Sequence, residues 1–147
     1  MNSTNKELDM GRETDSELNT FIDEWEETPE KNREVFTRLR EYLGKKEGVT
    51  LQFIARPGVT YSLRAVHAAQ KKRSLFVMVD VIEDNPRWLS VCFYGEMITD
   101  PEEKGDVVPG GLLGEDAVCF DIAERDEERI RYIEVRLDEA CRNATKE

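Results

Sequence analysis

Residues 50–66, TLQFIARPGVTYSLRAV, decide the fold. Apolar and polar residues alternate with a period of two in both halves of this stretch, the pattern of strands with one buried face. Between the halves, Arg56-Pro57-Gly58-Val59 predicts a turn. Proline presets φ at the second position, and glycine accepts the positive φ that a type II turn needs at the third. Thr50–Ala55 and Thr60–Val66 are therefore expected to pair as an antiparallel hairpin. Further along, SLFVMVDVI (74–82) is the most apolar strand candidate of the chain. Glu83-Asp84-Asn85-Pro86 turns it back into RWLSVCFY (87–94), which gives a meander of four antiparallel strands.

Outward from the meander the period changes. Residues 95–116 are rich in glycine and proline and are expected to form a long loop, leading to a fifth strand at Ala117–Ile122. Asp126 predicts the cap of a final helix reaching about Asn143, with Ile130, Ile133, Leu137, Ala140 and Cys141 on one face. Towards the N-terminus, Thr14 and Glu17 fit a capping box ahead of Leu18, Phe21, Ile22 and Trp25, spaced to line one helical face. Thr28-Pro29 predicts the start of a second helix, with Val35, Phe36, Leu39, Tyr42 and Leu43 as its apolar stripe and Gly44 as its C-terminal cap. The expected fold is α+β: a five-stranded, mainly antiparallel sheet with two N-terminal helices and one C-terminal helix, in the order α-α-β-β-β-β-β-α. Residues 1–14 read as a disordered polar leader and 15–147 as a single domain.

Strand alternation assigns the side chains to two faces. Leu51, Phe53, Leu63, Leu75, Val77, Val79, Val81, Leu89, Val91, Phe93, Val118, Phe120 and Ile122 share one side and should receive the helices. The other side is mixed: Gln52, Ser62, Arg64, Phe76, Met78, Asp80, Trp88, Ser90, Cys92, Tyr94, Cys119 and Asp121. Apolar walls with a few convergent polar groups are the composition of a ligand pocket or an interface. Arg64, Asp80, Trp88, Cys92, Tyr94 and Asp121 are therefore the candidate binding residues. The alternative is a helix covering this face, with Arg64 paired to Asp80 or Asp121.

Composition excludes several partners. The net charge of −11 repels phosphate backbones and anionic membranes, so neither nucleic acid nor a membrane is expected. The chain has no apolar run near the ~18 residues of a membrane span, and no apolar segment of a secretory signal at its start. Cys92, Cys119 and Cys141 are odd in number, widely spaced and without a C-x-x-C. With His67 the only histidine, they make a poor zinc set. Buried free thiols in a cytoplasmic protein are the expectation.

The familiar catalytic patterns are missing. Asp100–Asp106 places acids around a glycine, but Lys104 and Gly111 occupy positions where an EF-hand needs oxygen ligands. PGGLLG (109–114) lacks the Lys-Ser/Thr of a phosphate-binding loop. His67 shares the aliphatic face by parity, whereas Cys92 and Cys119 face the other way, which argues against a Cys–His pair. Asp80 and Asp121 could form a carboxylate dyad, with Arg64 a partner for either.

The stretch Phe36-Thr-Arg-Leu-Arg-Glu-Tyr-Leu43, with Leu51-Gln-Phe53 and Tyr61-Ser-Leu-Arg-Ala65, resembles the YdhG-like superfamily of bacterial α+β domains. Members of that superfamily include frataxin-like iron chaperones, and the resemblance spans residues 28–144. It implies helices packed on one face of an antiparallel sheet, and gives the acidic helices a role in binding iron or a partner. The functional expectation is a binding or interaction module without a cofactor. It would use the mixed face to take a protein or a small molecule, or to form a homodimer. An acidic cation-binding protein is the alternative, and an enzyme of unknown reaction comes third.

Overall fold

The computed structural model describes the backbone of residues 3–147 and the side chains of residues 11–147. Its hairpin is the expected one. β1 (Val49–Arg56) and β2 (Thr60–His67) pair antiparallel with Gln52 opposite Arg64. The turn closes through Val59 N–H donating to the Arg56 carbonyl at 2.9 Å, and Gly58 takes φ 81°. β3 (Val77–Ile82) and β4 (Trp88–Tyr94) continue the meander. A short 3-10 helix follows at Gly95–Met97.

The sheet has six strands, one more than expected, in the order β1-β2-β3-β4-β6-β5 with antiparallel pairing throughout. β5 (Asp106–Leu112) forms within the stretch expected to be loop, and pairs with β6 (Glu115–Ile122). It lies at the sheet edge and its register is broken between Val108 and Leu112. Edge position and a bulge are what allow a strand to contain Pro109, Gly110 and Gly111.

Three helices accompany the sheet. α1 spans Ser3–Glu24, so the helix starts eleven residues before Thr14, within the expected leader. Gly11 lies inside it, where a glycine weakens a helix by only about 1 kcal/mol and does not end it. Met1 and Asn2 lie outside the described residues. α2 spans Asn32–Gly44 and begins later than Thr28-Pro29 predicts. Those two residues form a turn instead, closed by Lys31 N–H on the Thr28 carbonyl at 2.9 Å. The start of α2 is fixed by tertiary contact: buried Asn32 donates to the Arg87 and Ala123 carbonyls at 2.8 and 2.9 Å. α3 spans Glu127–Ala144, and Asp126 caps it as expected by accepting from Arg129 N–H at 3.2 Å.

All three helices pack on the aliphatic side. Phe21 of α1 stacks near Phe53 and Tyr61, Phe36 of α2 meets Phe21 edge-on, and Tyr132 of α3 lies against Phe120. The cross-strand row Leu63–Val79–Val91–Phe120 is completely buried. Each such side chain contributes about 1.5–3 kcal/mol of transfer free energy. α2 and α3 are tied by Arg38, whose guanidinium meets Glu127 and Glu134 at 2.6 and 2.9 Å.

Candidate functional site

The register carries two polar rows across the sheet, on the side away from the helices. The first is Ile54–Ser62–Asp80–Ser90–Asp121, and the second is Gln52–Arg64–Met78–Cys92–Cys119–Asp106. Residues directly opposite on paired strands share a face, so Arg64, Asp80, Trp88, Cys92 and Asp121 all project to this side. Among the described residues no helix lies over it: β3 alternates between buried Val77, Val79, Val81 and half-exposed Met78, Asp80, Ile82.

Asp80 sits at the centre, on the third strand of six. Burial pushes its carboxyl above the usual aspartate range. The Ser62 hydroxyl and the positive charge of Arg64 oppose that rise. Arg64 does not form the paired arrangement considered from the sequence. Its Nε donates to Ser62 Oγ at 3.2 Å, leaving the hydroxyl proton of Ser62 for Asp80. Asp80 Oδ1 is buried and receives no hydrogen bond from the protein. A buried acceptor without a donor costs about 1–3 kcal/mol.

The remaining candidates divide. Asp121 is exposed in the same row as Asp80, but Ser90 stands between them, and two interstrand steps separate their backbones by roughly 10 Å. Trp88 is half-buried at one end of the face, its indole N–H donating to Asp84 at 3.2 Å. Tyr94 shares the face by register but is 2% exposed, with the Arg73 guanidinium 4.6 Å above its ring. It belongs to a cavity of about 570 Å³ at the end of the sheet, where Arg73 bridges Glu96 and Glu115. Arg64, Asp80, Trp88, Cys92 and Asp121 do not line that cavity.

The expectation of free thiols fails at two of the three cysteines. Cys92 and Cys119 face each other on β4 and β6 and form a disulfide, with Cα atoms 4.1 Å apart. Only Cys141 is free. The sequence offered one signal, the shared parity of the two cysteines. It gave no register between strands separated by a long connection. Ser90 Oγ lies 3.5 Å from Cys92 Sγ.

Two other expectations concern the acids and His67. His67 Nδ1 accepts from Ala69 N–H at 3.0 Å, on the opposite side from both cysteines. Asp100 organises its loop by accepting from the Lys104 and Gly105 N–H groups at 3.0 and 2.8 Å and from Tyr132. Burial raises this carboxyl, and those hydrogen bonds together carry it below the usual range. Among the described residues, no group of three or more His, Cys, Asp and Glu side chains is placed to hold a metal ion, and no helix is long and apolar enough to cross a membrane.

No family model, curated protein or solved structure matches this chain.

Proposed function

We propose that this chain is a binding module that takes a partner protein on the open face of its sheet, centred on Asp80. The observation that carries this reading is the buried, undonated Oδ1 of Asp80 on a face that no helix of the described residues covers. Asp80, Asp121 and Asp106 outnumber Arg64 and Arg56 among the strand residues on this side, so the face is acidic overall. An arginine, lysine or amide side chain from the partner supplies the missing donor once the Asp80 carboxyl turns outward. Charged and polar side chains spread over several strands suit a protein surface better than a small ligand, which needs a concave site. The same acidity works against a homodimer through this face, because like charges would meet.

The probe is an array of short peptides bearing arginine and lysine, screened against the wild type and Asp80→Asn. Bound peptides should slow hydrogen exchange in β2–β4, and Asp80→Asn should remove at least tenfold of the affinity. Peptides that protect the helices, or that bind Asp80→Asn equally well, would reject the face. Sedimentation of the wild type against Trp88→Ala tests the homodimer. A dimer lost in the folded variant would replace the heterologous partner by a second copy.

A further inference from the structure

We infer that Cys92 and Cys119 form a reversible thiol–disulfide site, opened by thiol reductants and closed by disulfides while the sheet stays folded. This does not depend on the identity of any partner. Three observations point to it. First, the two cysteines are directly opposed in the β4–β6 ladder, with neighbours Val91–Phe120 and Phe93–Val118 paired on either side. Their Cα separation of 4.1 Å is close to the ~4.5 Å of a non-hydrogen-bonded cross-strand pair, and below the usual disulfide range. The sheet therefore holds the sulfurs together whether or not they are bonded. Second, the pair lies on the side without helices, so a reagent reaches it without displacing an element. Third, the sulfurs are unequal. Cys119 is 8% exposed, whereas Cys92 is more open and has the Ser90 hydroxyl 3.5 Å from its Sγ, positioned to donate to a thiolate.

The exchange proceeds through Cys92. A reductant thiolate attacks Cys92 Sγ, a new S–S bond forms, and the Cys92–Cys119 bond breaks with its electron pair leaving on Cys119 Sγ, which takes a proton. A second reductant thiolate then attacks the reductant sulfur of that mixed disulfide, and Cys92 leaves as a thiolate, stabilised by Ser90, before it too is protonated. Two electrons pass to the protein, and two thiols of the reductant, a dithiol or a pair of glutathione-type monothiols, become one disulfide. Closure is the reverse, with an external disulfide as the oxidant. The state of the pair then follows the redox poise around the chain.

The test uses the full chain carrying Cys141→Ser, so that the pair supplies all the thiols. The folded protein is equilibrated in glutathione buffers of graded ratio without denaturant, trapped by alkylation and weighed. The expected result is a two-thiol change along the titration, with circular dichroism and sheet hydrogen exchange retained at both ends. Phenylarsine oxide, which bridges adjacent dithiols, should add once to the reduced form and not to the oxidised form. In single variants, glutathione should mix with Cys92 in Cys119→Ser at least tenfold faster than with Cys119 in Cys92→Ser. A bond that yields only in denaturant, thiols that never pair under oxidising buffer, or a reduced chain that loses its sheet would each overturn the inference. So would faster mixing at Cys119.

Discussion

Strand β3 sends Val77, Val79 and Val81 to one side of the sheet and Met78, Asp80 and Ile82 to the other. The first three are completely buried under helices, while the second three are half-exposed beside Ser62, Ser90 and Arg64. The same backbone therefore serves two ends. The aliphatic side removes apolar area from water and stabilises the fold. The other carries an unmet acceptor, a disulfide and a tryptophan. That division frees the open face to change without unfolding the chain, which both the binding proposal and the exchange chemistry require.

The largest expected effect breaks the comparison if it fails. Phe120→Ala on the helix side should lose about 4 kcal/mol in denaturant unfolding, the cost of a large core truncation. Met78→Ala on the open side should lose no more than about 1 kcal/mol, as for a half-exposed site. Comparable losses would mean that both sides are core. Next in size is the disulfide. Cys92→Ser with Cys119→Ser removes a link between residues 27 apart in sequence, and loop-closure entropy puts the loss at about 3.5 kcal/mol. Domains typically hold ~5–15 kcal/mol, so the doubly substituted chain should stay folded at 25 °C. Its unfolding under oxidising conditions would make the bond a structural staple and end the division between the two sides.

The comparison also explains what the sequence could disclose. Parity was legible because β1 and β2 are joined by a turn whose Pro57 and Gly58 set the register locally, and β3 and β4 follow by another short connection. β5 was hidden because its ladder is interrupted: Val107 and Val108 are followed by Pro109, Gly110 and Gly111, which break the alternation that marks a strand. The Cys92–Cys119 bond was hidden with it, since the register of β6 on β4 depends on a connection from Tyr94 to Glu115 whose internal structure local pattern does not encode. The start of α2 was misplaced for a different reason. Thr28-Pro29 satisfies local capping chemistry, but Asn32 reaches the carbonyls of Arg87 and Ala123, and such long-range bonds cannot be seen from neighbouring residues. The candidate residues divided along similar lines. Alternation placed Arg64, Asp80, Cys92 and Asp121 on one face, yet could not foresee that Arg73, from a separate loop, buries Tyr94.

The smallest expected effect is the most specific to the open face, because its sign is opposite to that of the paired carboxylates elsewhere. Burial holds the Asp80 carboxyl above the ordinary aspartate value of 3.8, so between that value and its own raised one the native chain binds a proton that the unfolded chain has released. Across that interval Asp80 makes stability fall as pH rises. Glu83, held low first by its hydrogen bonds from Arg87, does the reverse: its contribution is present above the unfolded value and is lost as pH falls through the folded one. Asp80→Asn removes only the first of these. The variant should therefore gain on the wild type as pH is raised from about 3 towards neutrality, ending more stable by up to about 1 kcal/mol while losing peptide affinity. Paired melting curves over that range measure the difference directly. A difference that does not change with pH, or a variant less stable at neutral pH, would show that Asp80 is already satisfied by the chain itself, and the open face would lose the acceptor around which its binding role is built.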